Sequence, residues 1–124
     1  MSRGLTLVLT LVVAVLAVPA LRAFGTALPT ATLIEGNPIG ADHVYFARPE
    51  AKLKVGIWRS SAYTEFYESY PCDEFMVILD GHVFVENARF SERFNPGDAF
   101  LIPKGFRGYW RQPVAMTKYY AIVE

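Results

Sequence analysis

Apolar and polar residues alternate in short runs along most of this chain. In the run Lys52 to Trp58, for example, Leu53, Val55 and Ile57 would share one face of an extended strand. Alternation of this kind has the period of a half-buried β-strand, and no stretch after residue 26 keeps the period of a helix. The runs that predict strands are VYFAR (44–48), KLKVGIW (52–58), YTEFYESY (63–70), EFMVIL (74–79), HVFVE (82–86), RFSERF (89–94), AFLIP (99–103), FRGYWRQ (106–112) and TKYYAIV (117–123). Short strands at regular spacing predict an all-β antiparallel sandwich or barrel.

Turn residues separate these runs. Asp80-Gly81 lies between two apolar runs and predicts a two-residue type I′ hairpin, with residues 82–86 returning antiparallel to 74–79. The sequence NPGD at 95–98 predicts a second turn, and Pro103-Lys104-Gly105 ends the strand before it.

The first 25 residues have a different pattern. Residues 4–21 carry no charge, Arg3 precedes them and Arg22 follows them. Pro19 and several small residues stand near the end of this run, which is typical of a cleaved signal peptide. A retained membrane anchor is the alternative. We therefore predict a signal peptide or anchor at 1–25, a linker or N-terminal arm at 26–43, and one folded domain at 44–124. The domain is expected to be exported, to the periplasm or the extracellular space.

Charge and cysteine content narrow the classes of function. The chain has 12 basic and 12 acidic residues and no basic stripe, so we expect no nucleic-acid partner. Contact with a membrane is expected only through an uncleaved N-terminus. The single cysteine, Cys72, excludes an internal disulfide, and the acids beside it, Asp73 and Glu74, argue against a reactive thiolate.

Two spaced motifs resemble those of the cupin family. Glu74-FMVILD-Gly81 matches the end of the first cupin motif, and Gly97-DAFLI-Pro103-Lys104-Gly105 matches the start of the second. Trp110 follows the second motif as in the subgroup named for ureidoglycine aminohydrolase. The resemblance covers residues 44–123 and implies a small antiparallel jelly-roll barrel.

The resemblance also indicates where a metal ion would bind. Typical metal-binding cupins place three histidines and a glutamate around the ion, but this chain has only two histidines, His43 and His82, at neither motif position. In the ureidoglycine-type pattern the ligand positions hold Glu68, Tyr70, Glu74 and Tyr109. We therefore predict no metal cofactor; if a divalent ion does bind, Glu68 and Glu74 are its candidate ligands.

The resulting hypothesis is an exported cupin that binds a small polar organic ligand, carrying an amine or a carboxylate, inside its barrel. The candidate ligand-binding residues are Glu68, Tyr70, Glu74, Tyr109 and Trp110, and no catalytic residue is assigned. One alternative is a metal-dependent enzyme acting on a carbon–nitrogen bond. Another is a scaffold or subunit-interaction protein, with a homodimer formed through sheet edges or the N-terminal arm.

Glu74 begins an otherwise apolar strand, so its carboxylate should be buried and should need a partner. Without a metal, the expected partner is an arginine in the second motif or in the strand before it. The candidates are Arg59, Arg107 and Arg111.

Overall fold

The computed structural model describes residues 22–24 and 31–124, and only the backbone of residues 22–24. Its strands are β1 (Arg22–Phe24), β2 (Ala31–Gly36), β3 (Gly40–Arg48), β4 (Leu53–Ser60), β5 (Tyr63–Tyr67), β6 (Asp73–Asp80), β7 (Val83–Glu86), β8 (Ser91–Phe94), β9 (Ala99–Ile102), β10 (Gly108–Gln112) and β11 (Met116–Val123). A 3-10 turn at Pro49–Ala51 is the one helical element among these residues. The predicted all-β class is confirmed.

The strands form two antiparallel sheets. One has six strands in the order β1-β3-β4-β11-β6-β9, and the other has five in the order β2-β5-β10-β7-β8. The inner faces of the two sheets pack against each other as a jelly-roll barrel. No helix in the described part of the chain is long and apolar enough to cross a membrane.

Alternation along the strands determines which side chains enter the barrel. In β6, Glu74, Met76 and Ile78 are buried, whereas Phe75 lies on the outer side. The largest fully buried apolar side chains come from both sheets and make the centre of the core: Met76, Ile78, Val83 and Met116. The inward positions therefore supply both the apolar core and buried polar side chains, among them Glu65, Glu74 and Lys118.

The turn at Asp80-Gly81 is present, but it does not form the predicted hairpin. β6 belongs to the six-stranded sheet and β7 to the five-stranded sheet, so the chain passes between the sheets here. Gly81 has the expected positive φ of 77°, whereas Asp80 does not, and a type I′ turn requires positive φ at both positions. The dipeptide predicted the turn correctly and the pairing wrongly, because a local signal does not specify which sheet the next strand joins.

The predicted arm, residues 26–43, contributes strands to both sheets. β2 pairs with β5, and β3 begins at Gly40 and pairs with β4. β1 pairs with the first residues of β3. Apart from Arg22–Phe24, the predicted leader at 1–25 lies outside the described residues.

Candidate functional site

The partner of Glu74 is a lysine on the neighbouring strand. Glu74 is 4% exposed, and the Nζ atom of Lys118 on β11 lies 2.6 Å from its Oε2. The Tyr70 hydroxyl donates a hydrogen bond of 2.8 Å to its Oε1. Both carboxylate oxygens are therefore occupied, by an ammonium and by a phenol.

The arginines expected to hold Glu74 all lie elsewhere, so that prediction is wrong. Arg107 pairs with Glu68 at the surface, with 3.4 Å between Nε and Oε2. Arg111 alternates with the buried Trp110 and Gln112, so it points outward, where it pairs with Glu86. Arg59 is likewise exposed, because its neighbours in β4 take the inward positions.

The Lys118 ammonium lies between two indole rings. Its Nζ atom is 4.7 Å from the ring centroid of Trp58 and 4.6 Å from that of Trp110. It also lies 3.7 Å from the sulfur of Met76. An ammonium removed from water gains from the negative faces of aromatic rings, so this arrangement adds to the attraction of Glu74. Lys118 is thus an internal counterion held by one carboxylate and two aromatic faces.

A second carboxylate lies in the same interior. Glu65 on β5 is 3% exposed, pairs across the ladder with Trp110, and accepts a 2.6 Å hydrogen bond from the Tyr67 hydroxyl. Burial raises the pKa of Glu65 from its ordinary value, and the hydrogen bond from Tyr67 and the charge of Lys118 only partly oppose this. In the described residues no ion pair within 4 Å includes Glu65. It is a buried acid with a raised proton affinity.

Tyr63 completes the aromatic wall beside Glu65. Its ring centroid is 6.2 Å from that of Trp58, in an edge-to-face arrangement. Burial raises the pKa of Tyr63 well above its usual value, and the charges of Glu65 and Glu74 raise it further. Tyr63 therefore stays protonated and can only act as a neutral hydrogen-bonding group.

The charges of the interior do not balance. Across residues 31–124 the buried charged side chains are Glu65, Glu74 and Lys118, and Lys118 is paired with Glu74. When both acids are ionised the cluster carries one excess negative charge. That charge can be offset by a proton on Glu65 or by a cation that enters the barrel.

The structure divides the five residues predicted from the sequence into two groups. Tyr70, Glu74 and Trp110 are buried in the interior. The Glu68 side chain is 69% exposed and Tyr109 is 43% exposed, so both lie outside it. Sequence reasoning missed Lys118 and Glu65. Alternation was the available signal, since Lys118 shares a strand face with Met116 and Tyr120, and Glu65 shares one with Tyr63 and Tyr67.

The residues at the motif positions do not fit a divalent metal ion. The Glu74 oxygens already contact a hydrogen-bond donor each, and an ammonium supplies no lone pair to a metal. Glu68 lies outside the barrel. Within residues 31–124, no group of three or more His, Cys, Asp or Glu side chains is placed to hold a metal.

Cys72 is buried beside this cluster. Burial, with a further contribution from Glu74, raises the pKa of its thiol to about 11. The thiolate needed for nucleophilic attack is therefore scarce at neutral pH. This agrees with the prediction made from the neighbouring acids Asp73 and Glu74.

Comparison with known protein families identifies the fold family. The model of the EutQ-like cupin domain matches residues 48–120, which is more than half of the chain. The chain belongs to the EutQ-like cupin domain family. A comparison of this chain with proteins of curated function found no match.

Solved structures show the same fold at low sequence identity. The EutQ protein of Clostridium difficile is 18% identical, with a TM-score of 0.58 over 69% of this chain and 68% of that one. A putative ethanolamine utilization protein from Salmonella typhimurium LT2 is 16% identical, with a TM-score of 0.56 over 80% and 98%. A protein of unknown function from Pseudomonas syringae pv. tomato str. DC3000 is 23% identical, with a TM-score of 0.72 over 85% of this chain and 45% of that one. This EutQ-like cupin domain thus spans less than half of the Pseudomonas protein.

Proposed function

We propose that this cupin domain binds a small organic amine inside its barrel. The observation that carries the proposal is the excess negative charge of the interior, located at Glu65. A cationic ligand would form the ion pair that Glu65 lacks within the described residues. The Tyr63 hydroxyl belongs to the same face of β5 as Glu65 and suits the polar end of such an amine.

The position of Glu65 is unfavourable for the stability of the empty barrel. A buried carboxylate without a cation lowers stability, whereas an uncharged residue of the same shape would not. Sites that bind ligands commonly hold such groups, because the ligand supplies the missing partner. The notion that Glu65 serves a ligand therefore predicts that removing its charge stabilises the empty domain.

We expect the stability of Glu65→Gln, relative to the parent, to increase as the pH rises above about 4. A carboxyl group whose folded pKa is raised above its unfolded value, about 4.3, contributes stability below that unfolded value. This contribution is lost as the pH rises through the folded pKa, and glutamine, which does not titrate, loses nothing. Urea denaturation of both proteins over a pH series measures the difference. If the stability of the parent instead rises relative to that of Glu65→Gln as the pH increases, Glu65 already has a stabilising partner.

Binding is tested with ethanolamine as the probe and acetate as its anionic counterpart. Ethanolamine is chosen because it is a short amine with a hydroxyl and is part of the name of the Salmonella protein. Isothermal titration should show ethanolamine binding that strengthens as Glu65 ionises. Loss of a buried charge pair should make Glu65→Gln at least about tenfold weaker. Glu68→Gln, which removes an exposed carboxylate, should bind like the parent.

Two outcomes contradict the amine proposal. Binding of acetate without binding of ethanolamine would place the ligand on Lys118 rather than on Glu65. Equal ethanolamine affinity in the parent and in Glu65→Gln would place the amine outside the barrel interior.

A cupin of the ureidoglycine aminohydrolase type, acting on a carbon–nitrogen bond, is the rival proposal. It rests on the spacing around Trp110 and requires a metal that the interior donors do not favour. Metal analysis of the purified protein tests it. Stoichiometric Mn, Fe, Ni or Zn that is lost in Glu74→Gln would make this rival the leading hypothesis.

We further propose that the domain is exported. The support is the order of a charged start, an apolar run and small residues before residue 28. Expression in a bacterial host should yield protein whose intact mass lacks about the first 23 to 27 residues. Full-length mass in the membrane fraction would instead support the anchor.

A further inference from the structure

One oxygen of the two buried glutamates is still able to accept a hydrogen bond. Glu74 Oε1 accepts from Tyr70, Glu74 Oε2 contacts Lys118, and Glu65 Oε2 accepts from Tyr67. Glu65 Oε1 has no such partner among residues 31–124. In this part of the chain no fully enclosed side-chain oxygen or nitrogen lacks a hydrogen-bond partner, so Oε1 retains contact with accessible space.

The Tyr63 hydroxyl is in a similar situation. It makes no hydrogen bond within the described residues, and it is therefore not fully enclosed either. Tyr63 and Glu65 lie two residues apart on the inward face of β5. Burial and then the charge of Glu65 raise the pKa of Tyr63, as expected for two groups that lie close together. A carboxylate oxygen and a hydroxyl thus face the same part of the interior.

The faces of the two tryptophans, in contrast, are already in use. The Nζ atom of Lys118 is 4.7 Å from the ring centroid of Trp58 and 4.6 Å from that of Trp110, and Glu74 holds it there at 2.6 Å. Aromatic faces around a cation are the arrangement by which proteins recognise quaternary ammonium groups. We call this pair of rings, Trp58 and Trp110, the tryptophan cage. Its occupant is an ammonium of the chain itself.

These contacts favour one subclass of amine over another. An ammonium with N–H groups can donate a charge-assisted hydrogen bond to Glu65 Oε1. A quaternary ammonium has no N–H, and its methyl groups keep the charge away from the oxygen. Attraction to aromatic faces would have to replace the missing hydrogen bond. The tryptophan cage cannot supply that attraction while Lys118 lies in it.

We propose that the barrel interior selects amines that carry N–H groups, primary alkylamines foremost, and rejects quaternary ammonium compounds. Glu65 requires the N–H group, and Lys118 sets the rejection by filling the tryptophan cage. The inference rests on the proposed binding of an amine at Glu65 and adds the subclass of amine.

Four related ligands test the selectivity on the full chain, in the form that the expression host produces. They are ethanolamine, its N-methyl and N,N-dimethyl derivatives, and choline. All four keep the hydroxyl and a positive charge at neutral pH, and each step along the series removes one N–H. Isothermal titration should show affinity that falls along the series, with choline at least about thirty-fold weaker than ethanolamine.

The outcomes of this series separate the two proposals. Choline that binds as tightly as ethanolamine would overturn the selectivity and leave the binding of an amine standing. Failure of all four ligands to bind would overturn both.

A double variant that empties the tryptophan cage tests the role of Lys118. Lys118→Ala combined with Glu74→Gln removes the internal ammonium without leaving a charged, unpaired carboxylate. The ratio of choline affinity to ethanolamine affinity should rise at least about tenfold, because the indole faces become available to the ligand. Lys104→Ala is the matched control, since Lys104 is exposed, and it should leave the ratio unchanged.

Circular dichroism confirms that each variant is folded. An unchanged ratio in the folded double variant would overturn the role of Lys118. If the double variant does not fold, the ligand series on the parent protein still decides whether the interior rejects choline.

Discussion

Replacing Glu74 by glutamine is expected to lower the free energy of unfolding by about 3 to 5 kcal/mol. The variant keeps the size of the side chain and an acceptor for Tyr70. It leaves the buried Lys118 ammonium without its carboxylate, which lay 2.6 Å away. Lys118→Met should cost a similar amount, because it leaves Glu74 charged and unpaired. Urea denaturation at neutral pH measures both effects.

Glu68→Gln is the matched control for this experiment. Its carboxylate is 69% exposed and pairs with Arg107 at the surface, so its loss should change stability by no more than about 0.5 kcal/mol. The double variant Glu74→Gln with Lys118→Met should lose less than the sum of the single losses, by about 1 to 3 kcal/mol. Additive losses, or a Glu74→Gln effect as small as that of Glu68→Gln, would show that the buried pair does not act as a unit.

Gly81→Val should destabilise the domain by about 3 to 5 kcal/mol, for two reasons that add. The backbone has φ of 77°, a conformation that a β-branched residue adopts only with strain. A Cβ at this position would also overlap the carbonyl oxygen of Ala115 and lie 3.0 Å from the Cα of Met116. Chemical denaturation of parent and variant measures the loss.

Gly97→Val separates these two causes. Gly97 has φ of 90°, but a Cβ there would meet nothing within 4 Å. Its substitution should therefore cost only the backbone strain, about 1 to 3 kcal/mol. If the two variants lose equal stability, the contact with Ala115 makes no difference, and the account of the crossing between the sheets needs revision.

Much of the fold was predictable because strands leave a local signature. The run from Glu74 to Leu79 was correctly predicted as a strand, and the structure extends it by one residue at each end. The turn at Asp80-Gly81 was predictable for the same reason. Its role as a crossing was not, because the choice of sheet depends on contacts with β10 and β11, which lie far away in the sequence.

The site was predictable only in part. Glu74 was identified because a charge at the start of an apolar strand needs a partner, and the structure does bury it with one. The partner was wrong because Arg107 and Arg111 point outward and pair with Glu68 and Glu86 at the surface. Lys118 is 44 residues away in the sequence, and only the pairing of β6 with β11 brings it near.

The position of the two tryptophans has a consequence for experiments. The chain contains two, Trp58 and Trp110, and both contact the Lys118 ammonium. Tryptophan fluorescence of the unlabelled protein therefore originates entirely beside the buried charges, where indole emission responds to the local electric field. A ligand that enters the barrel should alter the emission spectrum, whereas binding to the outside of the sheets should leave it nearly unchanged. The protein thus carries an intrinsic optical reporter that distinguishes events inside the barrel from events on its surface.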